Sequence, residues 1–232
     1  MKTSFWTKLL DLFSPRLCVG CGNRLMPSEA VLCSDCLLHM PLTHFSQHAF
    51  DNPMARLFWG LFPVERAAAL FFYEPNTQMA NMIHAMKYYD RSDVAENMGV
   101  LVARSFMADG FFDGIDAIVP VPLSKDRLRQ RGYNQSECIA SGVSQVTRIP
   151  VCKKVLGRKT FAGSQTHLNV YQRRENVEQA FHLQDAVSLS GHHLLLVDDV
   201  VTTGSTIAAC GRLLQQIPDV RISVLALGLS KS

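Results

Sequence analysis

The stretch LLLVDDVVTTGSTI, Leu194 to Ile207, leaves little choice of fold. Its apolar start reads as a strand buried on both faces, the habit of parallel sheets covered by helices. Asp198 and Asp199 fall at the carboxyl end of that strand. Thr202, Thr203, Gly204, Ser205 and Thr206 then form a tight loop, and a helix begins near Ser205. Open parallel sheets bind ligands beyond the carboxyl ends of their strands. There the loop offers successive peptide N–H groups, hydroxyls and a helix N-terminus to an anion. Gly204 lets the backbone approach closely. The two carboxylates do not suit the same anion. They suit hydroxyl donors, such as the 2′- and 3′-hydroxyls of a ribose. The stretch therefore describes a site for a ribose 5-phosphate.

Three other readings fit less well. A Walker phosphate loop needs a lysine after its second glycine, and none is present. A receiver domain also ends its first strand on an acidic pair, but it needs a further hundred or so residues. Only 33 follow Asp199. Two aspartates serving only as helix caps would explain one of them, at the cost of burying the other.

The remainder of the chain supports an α/β fold, a largely parallel sheet flanked by helices. ERAAALFFY (from Glu65), IDAIVPVP (from Ile115), HHLLLVDD and VRISVLALG read as strands, and VCKKVL as a short extended piece. TQMANMIHAMKYYD puts Met79, Met82, Ile83 and Met86 on one helical face. A helix follows from Asp93, and another has Ile139, Val143 and Val146 facing inward. This body occupies residues 61–232, after an N-terminal module and linker in 1–60.

Seven cysteines are present, and four are paired as Cys18-x-x-Cys21 and Cys33-x-x-Cys36, eleven residues apart. Two such knuckles supply the four thiolates that a structural zinc prefers and leave no position open for water. A module this short buries little, so the metal would supply its folding energy. His39, His44 and His48 read as solvated loop histidines. Cys138, Cys152 and Cys210 read as buried small hydrophobes. His39 to Pro63 lacks sustained periodicity and reads as a linker docked by aromatic anchors.

Charge is nearly balanced, 23 Lys and Arg against 20 Asp and Glu, too even to argue for nucleic acid by itself. Locally, PVPLSKDRLRQRG clusters Lys125, Arg127, Arg129 and Arg131 after a strand. Such a cluster suits pyrophosphate, which needs several charged donors. A solvated basic face or a nucleic-acid phosphate contact stays open. Arg173 or Arg174 of QRREN would close over the site from a loop. Lys87, beside Tyr88 and Tyr89, reads more simply as a snorkelling helix-end lysine. The N-terminal MKTSFWTKLLDLFSPRLC has its apolar run broken by Lys8 and Asp11, so it reads as an amphipathic helix rather than a signal peptide. No segment has the length of a membrane span. The expected location is the cytoplasm.

LLLVDDVVTTGST resembles the phosphoribosyl pyrophosphate (PRPP) motif of type I phosphoribosyltransferases. That resemblance implies the type I phosphoribosyltransferase fold, with Asp198 and Asp199 on the ribose hydroxyls, Thr202 to Thr206 on the 5-phosphate, and Mg²⁺ bound with PRPP. Together with VPVPLSKDRLRQRGYNQS, SQTHLNVYQRRENVEQAF, IHAMKYYDRSDVA and the cysteine module, the chain resembles the ComF/GntX family. The resemblance implies a role in natural competence, DNA uptake and the use of imported DNA. Two functions follow from it. One is transfer of the phosphoribosyl group to a nitrogen acceptor that the sequence does not name. The other is a non-catalytic accessory or PRPP sensor that engages DNA-uptake proteins or single-stranded DNA.

Overall fold

The computed structural model describes residues 15–88, 90–159, 180–184 and 189–231. Among these residues six strands form two sheets: β1 (Ala67–Tyr73), β2 (Ala117–Pro120), β3 (Leu156–Arg158), β4 (Phe181–Leu183), β5 (His193–Val201) and β6 (Arg221–Ser230). The main sheet has the order β1-β6-β5-β2, and every pairing in it is parallel. β3 and β4 make a separate antiparallel pair. Seven α-helices accompany them among the described residues: α1 (Ser34–Leu38), α2 (Pro53–Arg56), α3 (Gln78–Tyr88), α4 (Ser92–Met107), α5 (Lys125–Arg131), α6 (Gln135–Thr147) and α7 (Ser205–Leu214). Leu194 to Val197 are wholly buried, as the unbroken apolar run requires of a strand covered on both faces.

β5 does not stop at the acidic pair. It runs on to Val201, because Val200 and Val201 continue the ladder with Gly228 and Leu229 of β6. On its other side the ladder ends where Pro120 faces Val197. Pro122 follows, and prolines supply no ladder donor. Asp198 and Asp199 therefore lie past the end of β2, where the sheet opens.

α4 and α6 cross at close range because neither has a side chain at the crossing. A Cβ on Gly142 would sit 2.1 Å from the Glu96 carbonyl oxygen, and one on Gly99 would sit 2.2 Å from that of Ile139. Gly142→Ala is expected to lower stability by about 2–3 kcal/mol through overpacking. Helix propensity alone would favour the alanine by about 1 kcal/mol. The sign of the change in urea midpoint, at unchanged m-value, separates the two effects.

The segment between the cysteine knuckles and β1 is held by aromatic anchors, as its composition suggested. Phe58 is wholly buried and Phe62 nearly so. Phe58 fills the space beside Gly204, and Phe62 the space beside Gly211 of α7. Asn52 caps α2, accepting from the Met54 and Ala55 N–H groups, and donates to the Ala67 carbonyl of β1 at 2.8 Å. The reading of Cys138 and Cys152 as buried needs correction: Cys210 is wholly buried, while Cys138 and Cys152 are half-buried and, like the inward-facing Val146, pack against the core. No helix among the described residues is long and apolar enough to cross a membrane.

Candidate functional site

The opening past Pro120 is a cleft of about 190 Å³. Asp198, Asp199 and Thr206 line it from β5 and α7, Arg127 and Arg131 from α5, and Ser136 from the start of α6. Lys87 from the end of α3 and Arg158 from β3 complete its charged lining. Positive side chains outnumber the two carboxylates by two, which suits a polyanion that also carries hydroxyls.

Asp198 accepts hydrogen bonds from the Ser136 hydroxyl at 3.0 Å and from the Asp199 N–H at 2.9 Å. Burial, and then the charge of Asp199, push its carboxyl up to about 7. Asp199 instead meets the Lys87 ammonium at 2.9 Å. Lys87 is thus a residue of the cleft and not a snorkelling helix end. Its local sequence carries no sign of this, since the contact depends on how α3 sits against β5. Besides Ser136, sequence reasoning missed Arg158. It lies on a three-residue strand with no motif around it. Burial, and next the neighbouring Arg127, lower its pKa, so these two cations repel one another across the cleft.

The basic cluster forms a helix, α5. Ser124 caps it by accepting from the Arg127 N–H, and Gly132 ends it in the left-handed region, at φ 77°. Residues four apart share a helix face. Arg127 and Arg131 therefore face the cleft together, whereas Lys125 and Arg129 fall outside its lining. Arg129 lies 3.8 Å from Asp126 in solvent. The serine cap and the spacing were both readable in the sequence. Arg173 and Arg174 lie outside the described residues, as does Tyr89.

The loop leads straight from the acidic pair into α7. Gly204 stands at its N-cap with φ 74°, where a Cβ would be strained and would meet Phe58 at 2.9 Å. Thr203 and Ser205 hydroxyls share a hydrogen bond of 2.9 Å. Thr202 and Thr203 are exposed, and Thr206 joins the loop to the cleft.

The four N-terminal cysteines come together as a second site. Their sulfur atoms all lie within 4.8 Å of one another, with Cys18–Cys36 and Cys21–Cys33 each at 3.6 Å. A tetrahedron of sulfurs about 2.3 Å from a zinc ion has edges of about 3.8 Å. The four are positioned to bind a metal ion. Gly22 turns the first knuckle at φ 78°, and its N–H donates to the Cys18 carbonyl at 2.8 Å. Burial raises the Cys18 thiol, but the peptide N–H groups of Cys21, Cys33 and Gly20 outweigh it and draw it down to about 7. His39, His44 and His48 are not in this cluster, and His39 contacts Asp35 instead. Asn81 of α3 ties the knuckle to the body, its amide donating to the Gly20 carbonyl at 2.9 Å.

No family model matches the chain. Among solved structures, adenine phosphoribosyltransferase from Leishmania tarentolae aligns over 78% of this chain and 88% of its own, at 9% identity and a TM-score of 0.39, a likeness too loose to carry argument. Curated relatives are closer. Competence protein F of Haemophilus influenzae is 36% identical over 115 residues, 48% of this chain and 49% of that protein. The DNA utilization protein YhgH of Escherichia coli (strain K12) is 30% identical over 201 residues, 85% of this chain and 83% of that protein. Identity at that level, sustained over most of both chains, shows that the chain belongs to the ComF/GntX family.

Proposed function

We propose that the cleft binds PRPP, or a related phosphorylated ribose, together with Mg²⁺, and that the protein is a phosphoribosyltransferase-like component of natural competence or of the use of imported DNA. One observation carries the reading. A carboxylate pair, a loop entering a helix N-terminus and four basic side chains converge past the end of β2. The carboxylates of Asp198 and Asp199 are acceptors for the ribose hydroxyls. The Thr202–Thr206 loop offers N–H and hydroxyl donors to the 5-phosphate. Arg127, Arg131 and Arg158, which line the cleft, are candidates for the pyrophosphate, with Arg173 and Arg174 from outside the described residues. Mg²⁺, when bound, neutralises part of the pyrophosphate charge. For transfer, the chain's part is positioning and stabilisation of the leaving pyrophosphate, with no side-chain nucleophile. The four-cysteine site is assigned to a structural zinc, since four thiolates close its coordination shell.

A second reading, an accessory protein or PRPP sensor that engages DNA-uptake proteins or single-stranded DNA, is favoured by the relatives. Their names describe competence and DNA utilisation and no reaction. Calorimetric titration of PRPP with Mg²⁺ into the wild type and the Asp198→Asn, Asp199→Asn double variant tests the site common to both. Binding in the wild type and its loss in the variant is the expected result. Equal affinity in the two would overturn the assignment. Pyrophosphate release with an acceptor then separates a transferase from a sensor.

A further inference from the structure

Where α6 begins, three successive side chains are polar and buried: Asn134, Gln135 and Ser136. Burying such groups is costly unless they find partners. Each of these finds its partner on a different wall of the cleft. The Asn134 amide donates to the Val121 carbonyl, just past β2, at 3.0 Å. The Ser136 hydroxyl donates to Asp198 on β5. Gln135, only 1% exposed, turns the third way, toward the end of α3 and the basic helix α5.

The amide of Gln135 is used at both ends. Its nitrogen donates to the Met86 carbonyl at 3.3 Å, and its oxygen accepts from Arg131 Nη1 at 3.0 Å. The orientation is forced, because a carbonyl only accepts and a guanidinium only donates. Met86 lies in the last turn of α3, where helix carbonyls lack an intrahelical partner. The Tyr133 hydroxyl donates to the same carbonyl. The next residue is Lys87, whose ammonium meets Asp199 at 2.9 Å. Arg131 has few other restraints. Among the described residues its Nε has no hydrogen-bond partner, and its guanidinium lies 5.5 Å from the ring centre of Tyr88, the last residue of α3. One buried amide therefore ties the cation at the end of α3 to a cation of α5, and both line the cleft. Lysine and arginine side chains are rich in rotamers, so holding them in place before a ligand arrives lowers the ordering cost of binding.

We propose that Gln135 is a positioning residue for the anion side of the cleft, setting Arg131 against Lys87 before the ligand binds. The proposal rests on the ribose-phosphate reading for the identity of that ligand, while the tie itself does not depend on it. Almost none of Gln135's own surface is exposed. It therefore acts through Arg131 and through the end of α3.

The test titrates the full chain calorimetrically with inorganic pyrophosphate, and separately with PRPP and Mg²⁺. Gln135→Met keeps the length and bulk of the side chain and removes both hydrogen bonds. It should weaken pyrophosphate binding by about tenfold or more, the scale of a hydrogen bond to a charged group. In an Arg131→Met background the same substitution should cost less than about threefold, because residues that act through one another are not additive. A second readout needs no ligand. In the wild type the side-chain N–H signals of Arg131 should be resolved by NMR, with rotation of the guanidinium slowed. Gln135→Met should return them to those of a free arginine, and Gln135→Glu, which keeps an acceptor for Arg131, should restore them. Equal pyrophosphate affinity in folded Gln135→Met and the wild type would overturn the proposal. So would an equal loss in both Arg131 backgrounds, or Arg131 signals that Gln135→Met leaves unchanged. Wild type that binds pyrophosphate but not PRPP would count against the ribose-phosphate reading and leave the Gln135 comparison standing. Wild type that binds neither would overturn that reading, and the Arg131 signals would then decide the tie.

Discussion

Asp198→Asn is expected to make the protein more stable and its cleft inert. The carboxyl of Asp198 titrates near 7 because it is buried and faces a second carboxylate. A folded-state value raised above the ordinary 3.8 means that the folded chain holds a proton which the unfolded chain gives up. The resulting penalty is absent below the unfolded value, grows as pH rises from about 4 to 7, and is complete above 7. A tenfold difference in acidity between the folded and unfolded chains corresponds to about 1.4 kcal/mol. A gain of about 2–4 kcal/mol at pH 8 follows for the variant, or roughly 4–8 °C or more in melting temperature for a chain of this size. Asparagine keeps the carbonyl oxygen that accepts from Ser136 and from the Asp199 N–H, so the local frame has no reason to move. The advantage should shrink to nearly nothing at pH 4. Thermal melts of both proteins across that range check it, and a variant less stable at pH 8 would show that the carboxylate is not strained. Binding should move the other way. Hydrogen bonds to a charged acceptor contribute about 1.5–3 kcal/mol, so loss of the charge should weaken Mg²⁺–PRPP by about 10- to 100-fold. A stability gain coupled to a functional loss is the mark of a site built at the expense of the fold.

The carboxylate pair and its loop were legible because both halves of the signal are local. A buried strand, two acids, a glycine and a helix start lie within fourteen residues. Lys87, Ser136 and Arg158 reach the same cleft from three other elements, and only the packing of α3, α6 and β3 brings them there. Lys87 had its snorkelling explanation ready, and Arg158 sat in a strand too short for periodicity to register. The basic segment erred in a different way. It was read as one cluster after a strand, while the Ser124 cap and the four-residue spacing of Arg127 and Arg131 specified a helix that splits the cluster into two faces. The end of β5 was misjudged because an acidic residue breaks the apolar pattern without breaking the ladder. Asp198 still pairs with Ala226 of β6.

Metal removal is expected to unfold the cysteine module and leave the cleft intact. The cysteine module has few buried apolar residues of its own, among them Leu25, Val31 and Leu32. Structural zinc in comparably small modules contributes about 10–16 kcal/mol, far more than those side chains can replace. Cys18→Ser with Cys33→Ser, or a strong chelator on the wild type, should release one equivalent of metal and open residues 15–40 to proteolysis. The linker beyond has anchors that do not pass through the metal. The Thr43 N–H donates to the Leu70 carbonyl of β1 at 3.1 Å. Asn52 holds Ala67, and Phe58 holds Gly204. The Thr202–Thr206 loop and the acidic pair should therefore survive, with Mg²⁺–PRPP affinity, measured in the cysteine variant to keep chelator away from Mg²⁺, changed by less than about threefold, well inside the 1.4 kcal/mol that a tenfold change represents. Full metal content in the cysteine variant would refute the four-thiolate site. Loss of PRPP binding together with the metal would mean that the linker transmits the state of the module to Gly204 through Phe58.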